Sequence, residues 1–253
     1  MRSQIKWVSD VFLSNGELYF CDTHNNRVRK VLRDGQTVTI AGTGQKNSSG
    51  DGKLATQAEL TYPIGVVVSS LNEVFIAEQD AHRIRKIDRH GVISTFAGTG
   101  SEGYCGDGKP AVRAKLNRPC GLFVTQENEV YFCDAQNHRI RKIDSKGIIS
   151  TVAGTGAIGF NGDNKPALKT NIEQPTSVFV QNGEVFFNDT ENRIRKVLRD
   201  GTVQTIAGTG KVGFSGDGFV ATKAEIDNPD GLFVFKDEVY FSDWQQSSQK
   251  GSH

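Results

Sequence analysis

The chain has 253 residues, with 30 basic against 29 acidic side chains and a net charge of +1. That balance gives no global attraction to nucleic acid or to an anionic membrane, and no run approaches the roughly 18 apolar residues of a membrane-spanning helix. The 28 Gly, 6 Pro and many short apolar runs suit strands joined by tight turns.

Taken in order, residues 1–13 (MRSQIKWVSDVFL) lack the apolar core of about 7–15 residues that marks a signal peptide. The expectation is therefore a cytoplasmic chain, unless it is part of a larger extracellular protein. A first unit spans residues 8–44 and reads as four short strands. The turn Ser14-Asn15-Gly16 separates the first two, a polar turn follows Asp22, and Arg33-Asp34-Gly35 separates the last two. Asn-Gly and Asp-Gly between apolar runs are hairpin signals, so successive strands should pair antiparallel. The unit recurs at residues 63–100, 119–156 and 175–210, and its first half at 229–243. The last glycine of an AGTG motif falls at Gly44, Gly100, Gly156 and Gly210, in steps of 56, 56 and 54. Four antiparallel strands and one crossing connection, repeated at such a period, predict an all-β propeller built of four-stranded blades. Residues 245–253 read as a polar tail.

Three motifs carry the repeat: Pro119-Cys120-Gly121-Leu122 opening a blade, Glu-Val-Tyr-Phe-x-Asp on its second strand, and Asn137-His138-Arg139-Ile140-Arg141-Lys142 before AGTG. With them the chain resembles the NHL-repeat β-propellers. Its long Gly-Asp-Gly connections resemble those of bacterial NHL proteins and of teneurin-type propellers. The resemblance implies a ring, commonly of six blades, whereas four and a half units are present. Either five blades close around one two-stranded blade, or the ring is completed from outside this chain, with self-association through its open edges. Departures from the pattern are Val8 for the initial Pro and Glu78 for the terminal Asp.

What every blade carries is what every blade needs to fold. The arginine pairs Arg27/Arg29, Arg83/Arg85, Arg139/Arg141 and Arg193/Arg195 alternate with Val or Ile, so both members of a pair share one strand face. The second strands end in Asp22, Glu78, Asp134 and Asp189. Pairs of Arg29, Arg85, Arg141 and Arg195 with these carboxylates are the expected structural role. A basic ring for RNA phosphates is the alternative, and the balanced charge argues against it. The text GxGxxG at residues 98–103, 154–159 and 208–213 has no helix pattern after it, which a dinucleotide site requires. The connection aspartates Asp51, Asp107, Asp163 and Asp217 are too isolated for the 6–8 oxygen ligands of Ca²⁺. Capping of turn N–H groups is expected of them instead. Tyr104, Phe160 and Phe214 read as loop anchors. Trp7 and Trp244 read as packing at the ring closure, or as marking the surface where a missing blade docks.

Of the four cysteines, Cys21 and Cys133 occupy one repeat position, while Cys105 and Cys120 flank a connection and can meet. Reduced, packed thiols are expected rather than a disulfide framework. Asn47-Ser48-Ser49 is a glycan acceptor only in a secreted chain. Function should lie where blades differ, at the channel mouth where the innermost strands begin: Ser9, Asp10, Cys120, Thr176 and Asp230. The resemblance includes catalytic relatives of lactonase or lyase type, which hold a metal on inward acids and histidines. This ring has two carboxylates and no histidine, too few for that. The expected function is a non-catalytic interaction module with a protein partner, without metal or cofactor. The alternatives are a metal-dependent lactonase- or lyase-like enzyme and an RNA-binding propeller.

Overall fold

The computed structural model describes residues 4–244; the polar tail lies outside the described residues. The first blade comprises β1 (Val8–Ser14), β2 (Glu17–Asp22), β3 (Arg27–Val31) and β4 (Thr37–Ala41). The second holds β5 (Pro63–Val68), β6 (Val74–Glu78), β7 (Arg83–Ile87) and β8 (Ile93–Ala97). The third holds β9 (Pro119–Val124), β10 (Val130–Asp134), β11 (Arg139–Ile143) and β12 (Ile149–Ala153). A two-residue strand, β13 (Lys165–Pro166), then joins the outer edge of the fourth blade, β14 (Val178–Gln181), β15 (Glu184–Asp189), β16 (Arg193–Val197) and β17 (Thr202–Ala207). A two-stranded sheet, β18 (Leu232–Phe235) and β19 (Glu238–Phe241), ends the array. Every blade is an antiparallel meander in chain order.

Turn chemistry explains the meander. Asn15-Gly16 and Asn182-Gly183 both have positive φ at each residue, as a two-residue type I′ hairpin requires. The Asp-Gly turns differ from the two-residue reading: at residues 34–35 and 200–201 only the glycine has positive φ. There Asp34 and Asp200 instead accept the N–H two residues on, at 2.9 and 2.8 Å.

The core lies between blades. Val67, Phe75, Leu122 and Phe132 belong to one buried cluster shared by blades two and three, and Cys133, Ile140, Val178 and Phe187 to one shared by three and four. No blade buries both faces alone, which makes stability a matter of neighbour contacts. The connections fasten one blade to the next. After each AGTG start the chain makes a 3-10 turn, Ala55–Gln57 in the first copy and Ala111–Arg113 in the second. Gly98 N–H donates to Ala111 O (3.0 Å) and Thr99 N–H to Ala114 O (2.9 Å), and the contact repeats at Gly42, Gly154 and Gly208. Gly98 has φ +92°, and a Cβ there would lie 2.2 Å from His82 O, so only glycine fits.

A second latch links the turn after each second strand to the following connection. Asn26, His82, His138 and Asn192 all have positive φ. Asn26 and Asn192 accept the N–H of Tyr62 and Asn228 through their side-chain oxygens, at 3.1 and 2.8 Å. His82 and His138 do the same through Nδ1, from Arg118 (3.2 Å) and Gln174 (3.3 Å). Asparagine and histidine are thus interchangeable acceptors on a left-handed residue.

The two ends of the array are bare. Val11 is 55% exposed although the equivalent Val66 is 0% exposed, and Leu13, Phe233 and Tyr240 also lie open where inner blades cover their counterparts. Trp7 is exposed, its ring centre 5.0 Å from that of His24 and tilted by 49°, and Trp244 is exposed, so neither tryptophan packs in a ring closure.

Burial and the charge of Arg139 hold the His138 imidazole below its ordinary pKa. Its neutral form is the one that accepts the Gln174 N–H, so the contribution of this latch is present above the unfolded pKa of about 6.5 and lost as pH falls. His138→Asn should keep the latch and remove that acid-side loss, while His138→Ala should cost about 1 kcal/mol at neutral pH. Thermal unfolding of the three proteins at pH 5 and pH 8 checks this; an Asn variant as acid-sensitive as the wild type contradicts it.

Candidate functional site: the channel mouth and the arginine network

The repeat-borne residues form the more deeply buried of the two sites. On β7, Arg85 reaches its own blade's Glu78 through Nη1 at 2.9 Å and the connection's Asp51 through Nη2 at 2.6 Å. Arg141 reaches Asp134 at 3.3 Å and Asp107 at 2.7 Å, and Arg195 reaches both Asp189 and Asp163 at 3.4 Å. In blade one Arg29 pairs with Asp22 at 3.5 Å. The four guanidinium groups are buried, so they present no basic ring to RNA. Asp51, Asp107 and Asp163 correct the capping expectation, because each receives the arginine of the blade it leads into, although Asp163 also accepts the Thr205 N–H at 3.0 Å. Thr95 Oγ1 and Thr205 Oγ1 also donate to Asp51 (2.7 Å) and Asp163 (3.0 Å).

Aromatic rings close over these arginines. The guanidinium carbons of Arg139 and Arg141 lie 3.6 and 5.0 Å from the centre of Tyr104, and those of Arg193 and Arg195 lie 4.0 and 4.9 Å from that of Phe160. Tyr104 and Phe160 are therefore cation-π lids, whereas the equivalent Phe214 is open. Burial pushes the Asp134 carboxyl up to about 6, against the opposing pull of the Asn117 N–H and Arg141. Partial burial also raises Asp107, but hydrogen bonds from Arg141 and Thr151 outweigh it and hold that carboxyl below the ordinary range. Arg141 thus joins one deeply buried acid to one at the rim.

At the channel mouth, each predicted residue reaches the neighbouring blade. Ser9 Oγ donates to Ile64 O (3.2 Å) and lies 2.6 Å from Thr23 Oγ1. Asp10 accepts the N–H of Val11 at 2.9 Å and that of Val66 in blade two at 2.8 Å. Cys120 Sγ lies 3.6 Å from Pro175 O, and Thr176 Oγ1 donates to Asp230 Oδ1 at 3.0 Å. The register of β1 and β5 against their partners slips at this level, between Val8 and Val11 and between Pro63 and Gly65. These bulges aim the mouth side chains sideways. Sequence reasoning missed Asn188, a buried second-strand residue whose Oδ1 accepts the N–H of Thr176 and Ser177 at 2.9 and 2.7 Å, and whose amide reaches Pro229 O. Its position holds Cys21, Ala77 and Cys133 in other blades, and that change of polarity was the available signal.

Cys21, Cys120 and Cys133 are packed as expected. Cys105 is exposed, and its Sγ accepts the Lys115 N–H at 3.4 Å. Cys120 instead stands opposite Cys133 across β9 and β10. All four thiols are free. Among the described residues no three His, Cys, Asp or Glu side chains cluster as metal ligands, and no helix is long and apolar enough to cross a membrane.

Blades of this topology, with arginine strands locked to their connections, define an NHL-repeat β-propeller. The teneurin NHL domain profile matches residues 15–103 and 97–161, more than half of the chain. The chain belongs to the teneurin NHL domain family. It is similar to teneurin-4 of Mus musculus, 27% identical over 90% of this chain, and to teneurin-1 of Homo sapiens, 30% identical over 88%. It spans about a tenth of the length of those curated relatives. Among solved structures it is similar to a chain of a nidogen/laminin complex (TM-score 0.63, 12% identity, covering 95% of this chain and 73% of that one). It is also similar to an auxiliary nutrient binding protein from Bacteroides ovatus (0.64, 13%, 91% and 55%) and to virginiamycin B lyase from Staphylococcus aureus (0.54, 15%, 96% and 79%).

Burial raises the Asp10 carboxyl from 3.8 to about 7, against the Val66 and Val11 N–H groups, with Asp230 adding to the rise. The folded state then holds a proton that the unfolded chain releases, so stability falls as pH rises from about 4 to about 7 and is level above. Asp10→Asn should remove this slope. Urea midpoints of both proteins across pH 4–8 test it, and parallel curves contradict it.

Proposed function

We infer that the chain is a non-catalytic interaction module that engages a protein partner through the propeller face carrying the channel mouth. The observation that carries this reading is the engagement of the mouth carboxylates. Both Asp10 oxygens accept backbone N–H groups from two blades, and Asp230 accepts Thr176 Oγ1. Groups used as staples between blades are poorly placed to take part in turnover. Membership of the teneurin NHL domain family supports the same reading. The likeness to a lyase is one of fold and supplies no reactive group here.

A photo-crosslinking residue at position 176, on the mouth, should capture protein adducts that the same residue at position 169, on a connection, does not. Equal capture at both positions contradicts the assignment of the face. Metal-dependent hydrolysis or elimination of lactones, lost in Asp230→Asn, contradicts the non-catalytic reading.

A further inference from the structure

Two cysteines face each other at the channel mouth of blade three. Cys120 lies at the start of β9 and Cys133 near the end of β10, and the two are partners across the antiparallel pair. The register slips beside them, between Phe132 and Cys133, so that Cys120 and Gly121 together oppose one residue. Both thiols are buried, and both belong to the apolar cluster between blades three and four. They therefore point to the same face of the sheet. Opposed residues of an antiparallel pair have Cα atoms about 4.5–5.5 Å apart, within the roughly 4.4–6.8 Å that a disulfide spans.

The other blades show that side chains at these two positions meet. Blade four has Thr176 and Asn188 there, and the Asn188 amide donates to Thr176 Oγ1. Blade one has Ser9 and Cys21, where burial raises the thiol against a hydrogen bond from Ser9. In blade three the contact is sulfur to sulfur: burial raises the Cys133 thiol, and a hydrogen bond with Cys120 adds to the rise. Blade four holds the pair in place from outside. Cys120 Sγ–H donates to Pro175 O at 3.6 Å. A Cβ on Gly121 (φ +47°) would lie 2.3 Å from Thr176 O, so the bulge sits hard against that blade. Cys21 stands opposite Val28 and Cys105 opposite Lys115, so neither faces a second cysteine.

We propose that Cys120 and Cys133 are a redox pair, which a low-molecular-weight disulfide such as oxidised glutathione closes into a cross-strand disulfide at the channel mouth. The Cys120 thiolate attacks one glutathione sulfur, breaks the sulfur–sulfur bond and releases one glutathione thiolate. The Cys133 thiolate then attacks Cys120 Sγ in the mixed disulfide and expels the second. The two thiol protons end on the two glutathione thiolates. Two protein thiols are thereby oxidised by two electrons, and one glutathione disulfide is reduced to two thiols. Both sulfurs are buried, so attack on the native protein follows a local opening of the mouth. Closure takes the Cys120 S–H from Pro175 O, exchanging a hydrogen bond between blades for a covalent bond within one.

The test holds the reduced full chain without oxygen in glutathione buffers of rising oxidised fraction, both as native protein and during refolding from urea. Free thiols are then alkylated in denaturant and mapped by peptide mass. No Lys or Arg lies between Cys120 and Cys133, so one tryptic peptide carries both. That peptide should lose two hydrogens and take no alkyl group, while Cys21 stays alkylatable and the exposed Cys105 gains only a glutathione adduct. The oxidised chain should have a higher urea midpoint than the reduced one. Cys133→Ser should stop at a glutathione adduct on Cys120, the mixed disulfide with nothing to resolve it. An adduct on Cys105 with the Cys120–Cys133 bond absent on both routes overturns the proposal. So does a bond from Cys120 to Cys105, or an oxidised chain that unfolds at lower urea than the reduced one.

Discussion

The constraint on which the structure depends is the burial, in each of blades two to four, of one arginine between two carboxylates from different segments. Arg141 illustrates it: one amine end meets Asp134, on the next strand of its own sheet, and the other meets Asp107, in the connection arriving from the previous blade. A guanidinium taken from water into this setting loses several kcal/mol of hydration, and only close partners offset it. Compensation is incomplete even so, since the Nε groups of Arg85, Arg141 and Arg195 find no acceptor. The network is therefore better understood as a fastening that fixes which connection lies on which blade than as a large net source of stability. Apolar contact between blades supplies the driving force.

This arrangement explains why the glycines of AGTG recur. Gly98 lets the chain leave β8 across the carbonyl of His82, and Gly156 leaves room for the guanidinium of Arg139. A Cβ at position 156 would lie 2.4 Å from Arg139 Nη1. Backbone conformation and side-chain placement are one requirement there, which a nucleotide-binding reading of the same letters would miss.

Much of the fold was legible in the sequence because it is written four times. Repetition fixed the strand order, and the alternation in Arg-Ile-Arg placed both arginines on one face. The partnership of Asp107 with Arg141 was not legible, since the two lie 34 residues apart and come together only when the connection crosses the blade. The mouth staples were named by position but not by role. Asp10 reads as a free carboxylate in the sequence, and it becomes a bridge between blades because the bulge in β1 turns it toward Val66. Asn188 escaped notice because its repeat position is held by small or sulfur-bearing residues in the other blades.

If the arginine joins blade and connection, its two ends must be energetically coupled across the chain. A double-mutant cycle on Asp107→Asn and Arg141→Met, followed by urea unfolding, measures this most directly. The account predicts that the two losses are non-additive by about 1 kcal/mol or more. Losses that add to within about 0.5 kcal/mol would contradict it.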